Sequence, residues 1–199
     1  MEINEERLKK QFSFIQEIDK EKNIFRQTYL ADANRKENDA EHCWHMAVMV
    51  MLLSEYSNEE IDVLHTISLA LIHDLVEIYA GDTYAYDTAG NEDKRERELA
   101  AADKLFALLP DDQRDNLRSL WDEYEEAETP ESKFANTLDK IQPLMLNNAS
   151  GGLSWKEHSV KASQVYGRNQ KTAEGSKKLW KYAEENFIKP NIGKNLLNS

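Results

Sequence analysis

The stretch from residue 61 to 82, IDVLHTISLALIHDLVEIYAGD, constrains the fold more than any other part of the chain. Ile61, Leu64, Ile67, Leu71, Leu75 and Ile78 recur at three- and four-residue spacing, so a core helix burying that stripe is expected rather than a strand. Its last two turns carry His73, Asp74 and Glu77, and Gly81 breaks it before Asp82. Ionisable groups at the end of so apolar a helix are costly to bury unless paired or ligated, which makes this end a candidate site.

The chain has 199 residues and no Pro-, Gly- or Ser-rich linker, so one domain is expected over 1–199, with a core at about 8–170 and a C-terminal helix and tail at about 171–199. Only seven glycines and four prolines punctuate it, which suits an all-α fold better than a strand-rich one. A formal net charge of −12 repels nucleic-acid polymers and anionic membrane surfaces, so neither is expected as a partner. A small anionic substrate could still bind through a bridging cation. A lone cysteine, Cys43, rules out an internal disulfide, and no apolar run approaches the roughly 20 residues of a membrane span. The charged N-terminal MEINEERLKK is no signal-peptide core, and a cytoplasmic location is expected.

Further helices follow from their stripes. Leu8, Phe12, Ile15 and Ile18 predict an amphipathic helix over 5–20 that closes on the core. Residues 23–37 lose the period and read as a connection carrying Arg26 and Arg35. Asn38 with Glu41 forms a capping box ahead of the packing face Met46, Val50 and Leu53. Ser57 with Glu60 reads as a second box, starting the 61–82 helix, and Ser154 with Glu157 as a third. The polar run 83–91 reads as a rim loop. Helices are expected over 92–109, from a cap at Asp111 through Tyr124, and from Thr129-Pro130 through Met145. Pro143 would free the carbonyl of Asp139 and bend that last helix beside the acid. A final helix around Leu179, Tyr182 and Phe187 precedes a tail expected to fray.

His73 and Asp74, adjacent on a helix, point about 100° apart and can both touch an ion lying between them. Glu77 lies one turn on, where it could hold or activate a water. His42 sits in the first turn of a capped helix and Asp139 on a later one, and a bundle can bring such positions together. Two imidazoles and two carboxylates suit a divalent first-row metal with positions left for water and substrate.

The order His42, His73-Asp74, Asp139 resembles the H…HD…D signature of the HD-domain metal-dependent phosphohydrolases. E-x-x-x-E-H at 37–42, H-D-x-x-E at 73–77, G-D at 81–82 and the LDK around Asp139 resemble the branch of YfbR-like 5'-deoxynucleotidases. The resemblance runs from about residue 8 to 170. It implies an HD-domain helical bundle with the metal site in its core, and His42, His73, Asp74 and Asp139 as ligands of one divalent ion. Manganese, cobalt, iron, nickel, magnesium and zinc are not distinguished. It further implies that Glu77 is the acid/base group, that Asp82 orients substrate or water, and that Arg26 faces the substrate phosphate. In those deoxynucleotidases an aromatic residue follows the arginine, whereas here it is Gln27. The family often dimerises, and aromatics in 112–127 or 173–187 could serve a homodimer interface.

Plainer readings apply elsewhere. His45 is expected to pack under the site, His65 and His158 to be ordinary partly exposed histidines, and Trp44, Trp121 and Trp155 to be core or interface. Lys94, Arg95 and Arg97 read as a solvated face, and Cys43 as inert packing. The function expected is hydrolysis of a phosphomonoester, foremost a nucleoside 5'-monophosphate. Cleavage of a phosphodiester or pyrophosphate-bearing nucleotide, or a regulatory module with a structural metal, are the alternatives.

Overall fold

The structure is a computed structural model that describes residues 4–86, 90 and 92–198. The rim loop expected over 83–91 therefore lies partly outside the described residues, as do residues 1–3 of the N-terminal segment. Among the described residues the architecture is all-α apart from one two-stranded ribbon.

Helix α1 (Glu5–Ile18) is capped by Asn4, whose side chain accepts from Arg7 N. It buries Phe14 against Phe106, ring centroids 6.5 Å apart, while Leu8, Phe12 and Ile15 face solvent. Of the expected inward stripe Ile18 alone packs against the core, because a period identifies a face without saying which neighbour receives it. Residues 23–37 are not a plain connection. Strand β1 (Phe25–Tyr29) pairs antiparallel with β2 (Lys36–Asn38), Phe25 opposite Asn38 and Tyr29 opposite Lys36. Arg26 and Thr28, two positions apart and so on one strand face, turn inward while Phe25 is exposed. That inversion of the usual polarity hides the strand from a search for apolar alternation.

Helix α2 (Asp39–Leu53) starts with the expected box: Glu41 N donates to Asn38 Oδ1 at 2.9 Å, and Asn38 N to a Glu41 carboxylate oxygen at 3.2 Å. Helix α3 (Val63–Ile72) does not start at Ser57–Glu60. Asp62 caps it, accepting from Leu64 N and His65 N. Its deeply buried face is Thr66, Leu69, Ala70 and Ile72, whereas Leu64 is 76% exposed. A segment apolar on every side gives no phase, so the expected stripe is only partly inward: Leu75 is buried and Ile61 and Ile67 pack against the core, while Leu64 and Leu71 are exposed.

The long helix expected over 61–82 is also interrupted. After Ile72 the pitch tightens, with Leu75 N bonded to Ile72 O at 3.2 Å and Glu77 N to Asp74 O at 2.8 Å, before the single turn α4 (Glu77–Ala80). Gly81, at φ 78°, ends it. The 18-residue window Val63–Ala80 has a mean hydropathy of 1.4, enough by length and composition to cross a membrane, and half of it is buried inside the protein. Ala70 packs into one core with Met46, Val50, Phe134 and Leu138, while Ile72, Leu75 and Val76 pack into a second with Ala102, Leu105, Phe106 and Trp121. His73 and Asp74 thus sit on the seam between two cores.

Helix α5 (Lys94–Phe106) and α6 (Asp111–Glu126) form the second core's far wall, Pro110 rather than Asp111 occupying the cap position of α6. Trp121 and Tyr124 on α6 are buried and unavailable as interface aromatics, although Tyr182 is exposed. Helix α7 (Pro130–Ala149) opens on Thr129, which accepts from Ser132 N, and runs 20 residues through Pro143. Helix α8 (Leu153–Glu157) is capped by Gly152 and not by a Ser154 box, since Ser154 lies inside it and is buried. Gly152 needs its left-handed φ of 70°, and a Cβ there would meet Asn195 at 2.5 Å. After α9 (Ala162–Arg168) and α10 (Lys177–Ala183) the chain forms a π-helical turn over Glu184–Ile188. The tail is not frayed through 198. Leu197 N donates to Val160 O at 3.0 Å, Ala162 N to Leu197 O at 2.9 Å, and Leu196 joins the first core.

Candidate metal centre

Three helical elements bring the sequence-predicted ligands together. The capping box fixes the start of α2, so His42 points into the bundle fully buried; the tightened turn presents His73 and Asp74; and Asp139 comes from α7. His42 Nε2 lies 3.2 Å from Asp139 Oδ1 and 3.9 Å from Asp74 Oδ2, and His73 Nε2 lies 3.1 Å from Asp74 Oδ2. His42, His73 and Asp139 each offer one atom within 4.8 Å of the others.

The donor chemistry fits a cation. His73 Nδ1 donates to Ala70 O at 2.9 Å, which leaves the Nε2 lone pair for a ligand, and Nε2 has no hydrogen-bond partner among the described residues. Behind His42, Glu37 is equally buried: its Oε2 stands 3.7 Å from His42 Nδ1, and its Oε1 accepts from Gln142 Nε2 at 2.6 Å. A carboxylate behind a ligating imidazole is the arrangement that sets its tautomer. Glu37 begins the E-x-x-x-E-H run, yet nothing in the sequence alone gave it a role.

Arg26, from β1, reaches into the acids. One nitrogen lies 2.7 Å from Asp74 Oδ2 and 3.4 Å from Asp39 Oδ1, and the other 3.7 Å from Asp139 Oδ1. Burial opposes its charge, but Asp74, Asp139 and Asp39 push its pKa well above the ordinary arginine value. Burial likewise works against the Asp74 and Asp139 carboxylates. His73 and Arg26 hold Asp74 below the usual range, and the His42 hydrogen bond, with the charges around it, does so for Asp139. His42 goes up to about 9, its contacts with Asp139 and Glu37 outweighing burial and Arg26.

Glu77 behaves differently. It is buried, and burial together with the charges of Asp74, Asp39 and Asp82 pushes its pKa well above the ordinary value. Asp39, fully buried in the first turn of α2, rises to about 7, burial and Asp74 outweighing Arg26 and a hydrogen bond with Glu77. Asp39 was missed because an acid in a helix's first turn reads as a cap partner. Asp82 sits on the cavity wall with its pKa raised by burial.

The cavity, about 240 Å³, is lined by Arg26, His73, Asp74, Glu77, Asp82 and Asp139. Lys94 also lines it, so it is not part of a solvated face. It pairs with Glu98 at 3.2 Å; Arg95 is half exposed and pairs with Glu125, which itself lines the cavity, and Arg97 pairs with Asp93 while also donating to Ala80 O at 2.7 Å. Cys43 is no remote packing residue either: its Sγ lies 3.6 Å from Glu21 Oε1 and 3.7 Å from His73 Nδ1. His45 stands 3.2 Å from Gln142 Nε2 under the site, and His65 pairs with Glu123 at the surface. Trp155, 2% exposed, belongs both to the core and to the cavity wall.

Comparison with known proteins adds to this geometry. Residues 18–180 match the family model described as HD domain. A Homo sapiens protein named 5'-deoxynucleotidase HDDC2 is 33% identical over 114 residues, covering 57% of this chain and 54% of that one. The Schizosaccharomyces pombe protein 5'-deoxynucleotidase hdd1 is 30% identical over 115 residues, 55% of this chain and 56% of its own. The chain spans about half the length of the curated relatives it matches. A crystal structure named "Predicted metal-dependent phosphohydrolase", from Magnetospirillum magnetotacticum MS-1, is 44% identical, with a TM-score of 0.90 over 97% of this chain and 96% of that one. An HD-domain phosphohydrolase from Listeria innocua, at 19% identity and a TM-score of 0.59, covers 92% of this chain and 86% of its own and shares the fold.

Proposed function

We propose, from the premise that this chain belongs to the HD domain family, that it hydrolyses (deoxy)nucleoside 5'-monophosphates to nucleoside and phosphate. One observation carries the reading: two imidazoles, two carboxylates and a buried arginine converge beside the buried carboxyl of Glu77, and all of them but His42 line one cavity. Proteins named 5'-deoxynucleotidase among its relatives support the nucleotide as substrate.

His42, His73, Asp74 and Asp139 would hold one divalent ion from the first transition row, or magnesium. When bound, such an ion polarises a phosphate oxygen and lowers the pKa of water beside it. Arg26 supplies positive charge to the phosphate, from a position already fixed by Asp39 and Asp74. Burial and Asp74 push the Glu77 pKa well above the ordinary value, which favours its protonated form, and that form can deliver a proton to the leaving 5'-oxygen of the sugar. Asp82, on the same wall, orients the substrate or the attacking water.

The test is direct. His73→Ala and Asp74→Ala proteins are expected to fold, to lose metal by elemental analysis and to release no phosphate from a nucleotide panel. Full metal content and full phosphatase activity in folded variants would remove the assignment.

A further inference from the structure

Two further cations line the cavity. Lys140 comes from α7, one residue beyond Asp139, and Arg168 is the last residue of α9. Arg26 and Lys94, the other arginine and lysine of the lining, are already paired, with Asp74 and with Glu98. The side chains of Lys140 and Arg168 have no ion pair and no hydrogen bond among the described residues. In a chain of net charge −12, two such cations on one cavity wall are a local reversal of the protein's field, and they draw anions there.

The cations address different parts of the cavity. Arg26 bears on Asp74, Asp139 and Glu77, whereas Arg168 bears on Lys140, Tyr84 and Tyr86. Asp82 feels both, Arg26 the more strongly. Burial pushes the Lys140 ammonium down, Asp139 and Glu174 oppose that push, and Arg168 and Lys171 add to it. An anion settling between Lys140 and Arg168 removes this repulsion of like charges. Lys140 is half-buried and Arg168 exposed, so the anion keeps part of its hydration and the desolvation cost stays small.

We propose that Lys140 and Arg168 hold a second phosphate of the substrate, carried on the sugar 3'-oxygen, so that nucleoside 3',5'-bisphosphates are preferred to simple 5'-monophosphates; the proposal rests on the monophosphatase reading above. The phosphate to be cleaved has Arg26 and the ligand cluster, and a second anion falls to the cations left over. In a 5'-diphosphate both phosphorus atoms share one oxygen and crowd the ligand cluster together, while a 3'-phosphate stands off by the width of the sugar. The reaction is unchanged: water adds to the 5'-phosphorus, the bond to the 5'-oxygen breaks, that oxygen takes a proton, and nucleoside 3'-monophosphate leaves with inorganic phosphate.

The experiment compares kcat/KM of the metal-loaded enzyme for deoxyadenosine 3',5'-bisphosphate and deoxyadenosine 5'-monophosphate at fixed ionic strength. Wild type is expected to prefer the bisphosphate by about tenfold, the effect of one charge-assisted contact at a partly exposed site, and to show it in KM. Arg168→Gln and Lys140→Gln are each expected to narrow the preference, and the double variant to abolish it. The ratio cancels any general loss of activity, and the wild-type comparison needs no variant to fold. Equal kcat/KM in wild type, a preference that survives in the double variant, or a stronger preference for the 5'-diphosphate overturns the proposal and leaves the phosphatase reading standing. So does inhibition by inorganic phosphate that weakens in the double variant while wild type shows no bisphosphate preference, which would assign the pair to the released phosphate. No turnover of any nucleoside 5'-phosphate with any divalent metal removes that reading, and the proposal with it.

Discussion

Replacing Glu37 by glutamine tests whether a buried carboxylate sets the metal affinity of His42. Glu37 is 1% exposed, and its two oxygens do different jobs: Oε1 accepts from Gln142 Nε2 at 2.6 Å, and Oε2 faces His42 Nδ1 at 3.7 Å. A glutamine has one acceptor where glutamate has two. If its oxygen keeps the Gln142 bond, its NH2 confronts His42 Nδ1. That drives the imidazole proton to Nε2, the nitrogen facing Asp139 and Asp74 and the one needed for a ligand. If the amide turns over, two NH2 groups meet at Gln142, which is fully buried and cannot withdraw. Loss of such a partner behind a ligating histidine costs about 10- to 100-fold in metal affinity. That corresponds to about 1.4–2.7 kcal/mol. Calorimetric titration of chelator-treated Glu37→Gln with manganese or cobalt measures it, and nitrogen-detected NMR reports the His42 tautomer. A folded variant with wild-type affinity and an unchanged tautomer would refute the reasoning.

Other consequences are as concrete. His42 has a pKa raised to about 9, so below that pH a proton must leave before the nitrogen can ligate; metal affinity should climb by about tenfold per pH unit from 7 to 9, followed by titration at fixed ionic strength. Glu77, whose pKa is raised by burial and Asp74, donates its proton only while it keeps it, so kcat should fall on the alkaline side, and Glu77→Gln should lose about 10²–10⁴ in kcat while retaining metal. Glu21 is buried beside Cys43 with its pKa raised to about 7 by burial and Asp74. A folded pKa above the unfolded one means stability present below about pH 4.5 and lost as pH rises towards 7, so Glu21→Gln should raise the melting temperature of metal-free protein at pH 8, by up to about 3 kcal/mol in stability, and leave it unchanged at pH 4. Gly175→Ala would set a Cβ 2.3 Å from Lys133 O, a backbone atom that cannot give way; a loss of about 2 kcal/mol or more by denaturant titration is expected, and wild-type stability would contradict the packing.

Much of the helical fold was legible because stripes, caps and breakers speak locally. Asn38–Glu41, Thr129–Pro130 and Met46–Val50 stand as their spacing predicts. What stayed hidden depended on partners far along the chain. The stripe at Leu8, Phe12 and Ile15 faces water because Phe106 receives Phe14 instead. In the 61–82 segment an all-round apolar surface erased the phase, and the pitch changes at His73, where the chain passes from one core to the other. His42, His73, Asp74 and Asp139, the proposed ligands, stand out in the sequence through their motif and lie close together in the structure, whereas Asp39 and Glu37 do not stand out, and a lysine in a charge run such as Lys94 has a commoner explanation on a solvated face. Cys43 lies near His73 because of how α2 and the tightened turn meet, which no adjacent-residue rule foretells.

The tightened turn has a consequence for how such a sequence can drift. Between His73 and Glu77 the backbone bonds run to residues three back, and Leu75 and Val76 between them are locked in the second core. The stretch therefore works as a fixed-length gauge. Leu64 and Leu71, exposed, tolerate exchange, but one residue added or removed inside the gauge swings Glu77 by about 120° away from the proposed ligands. Substitution can wander around this site; insertion and deletion cannot.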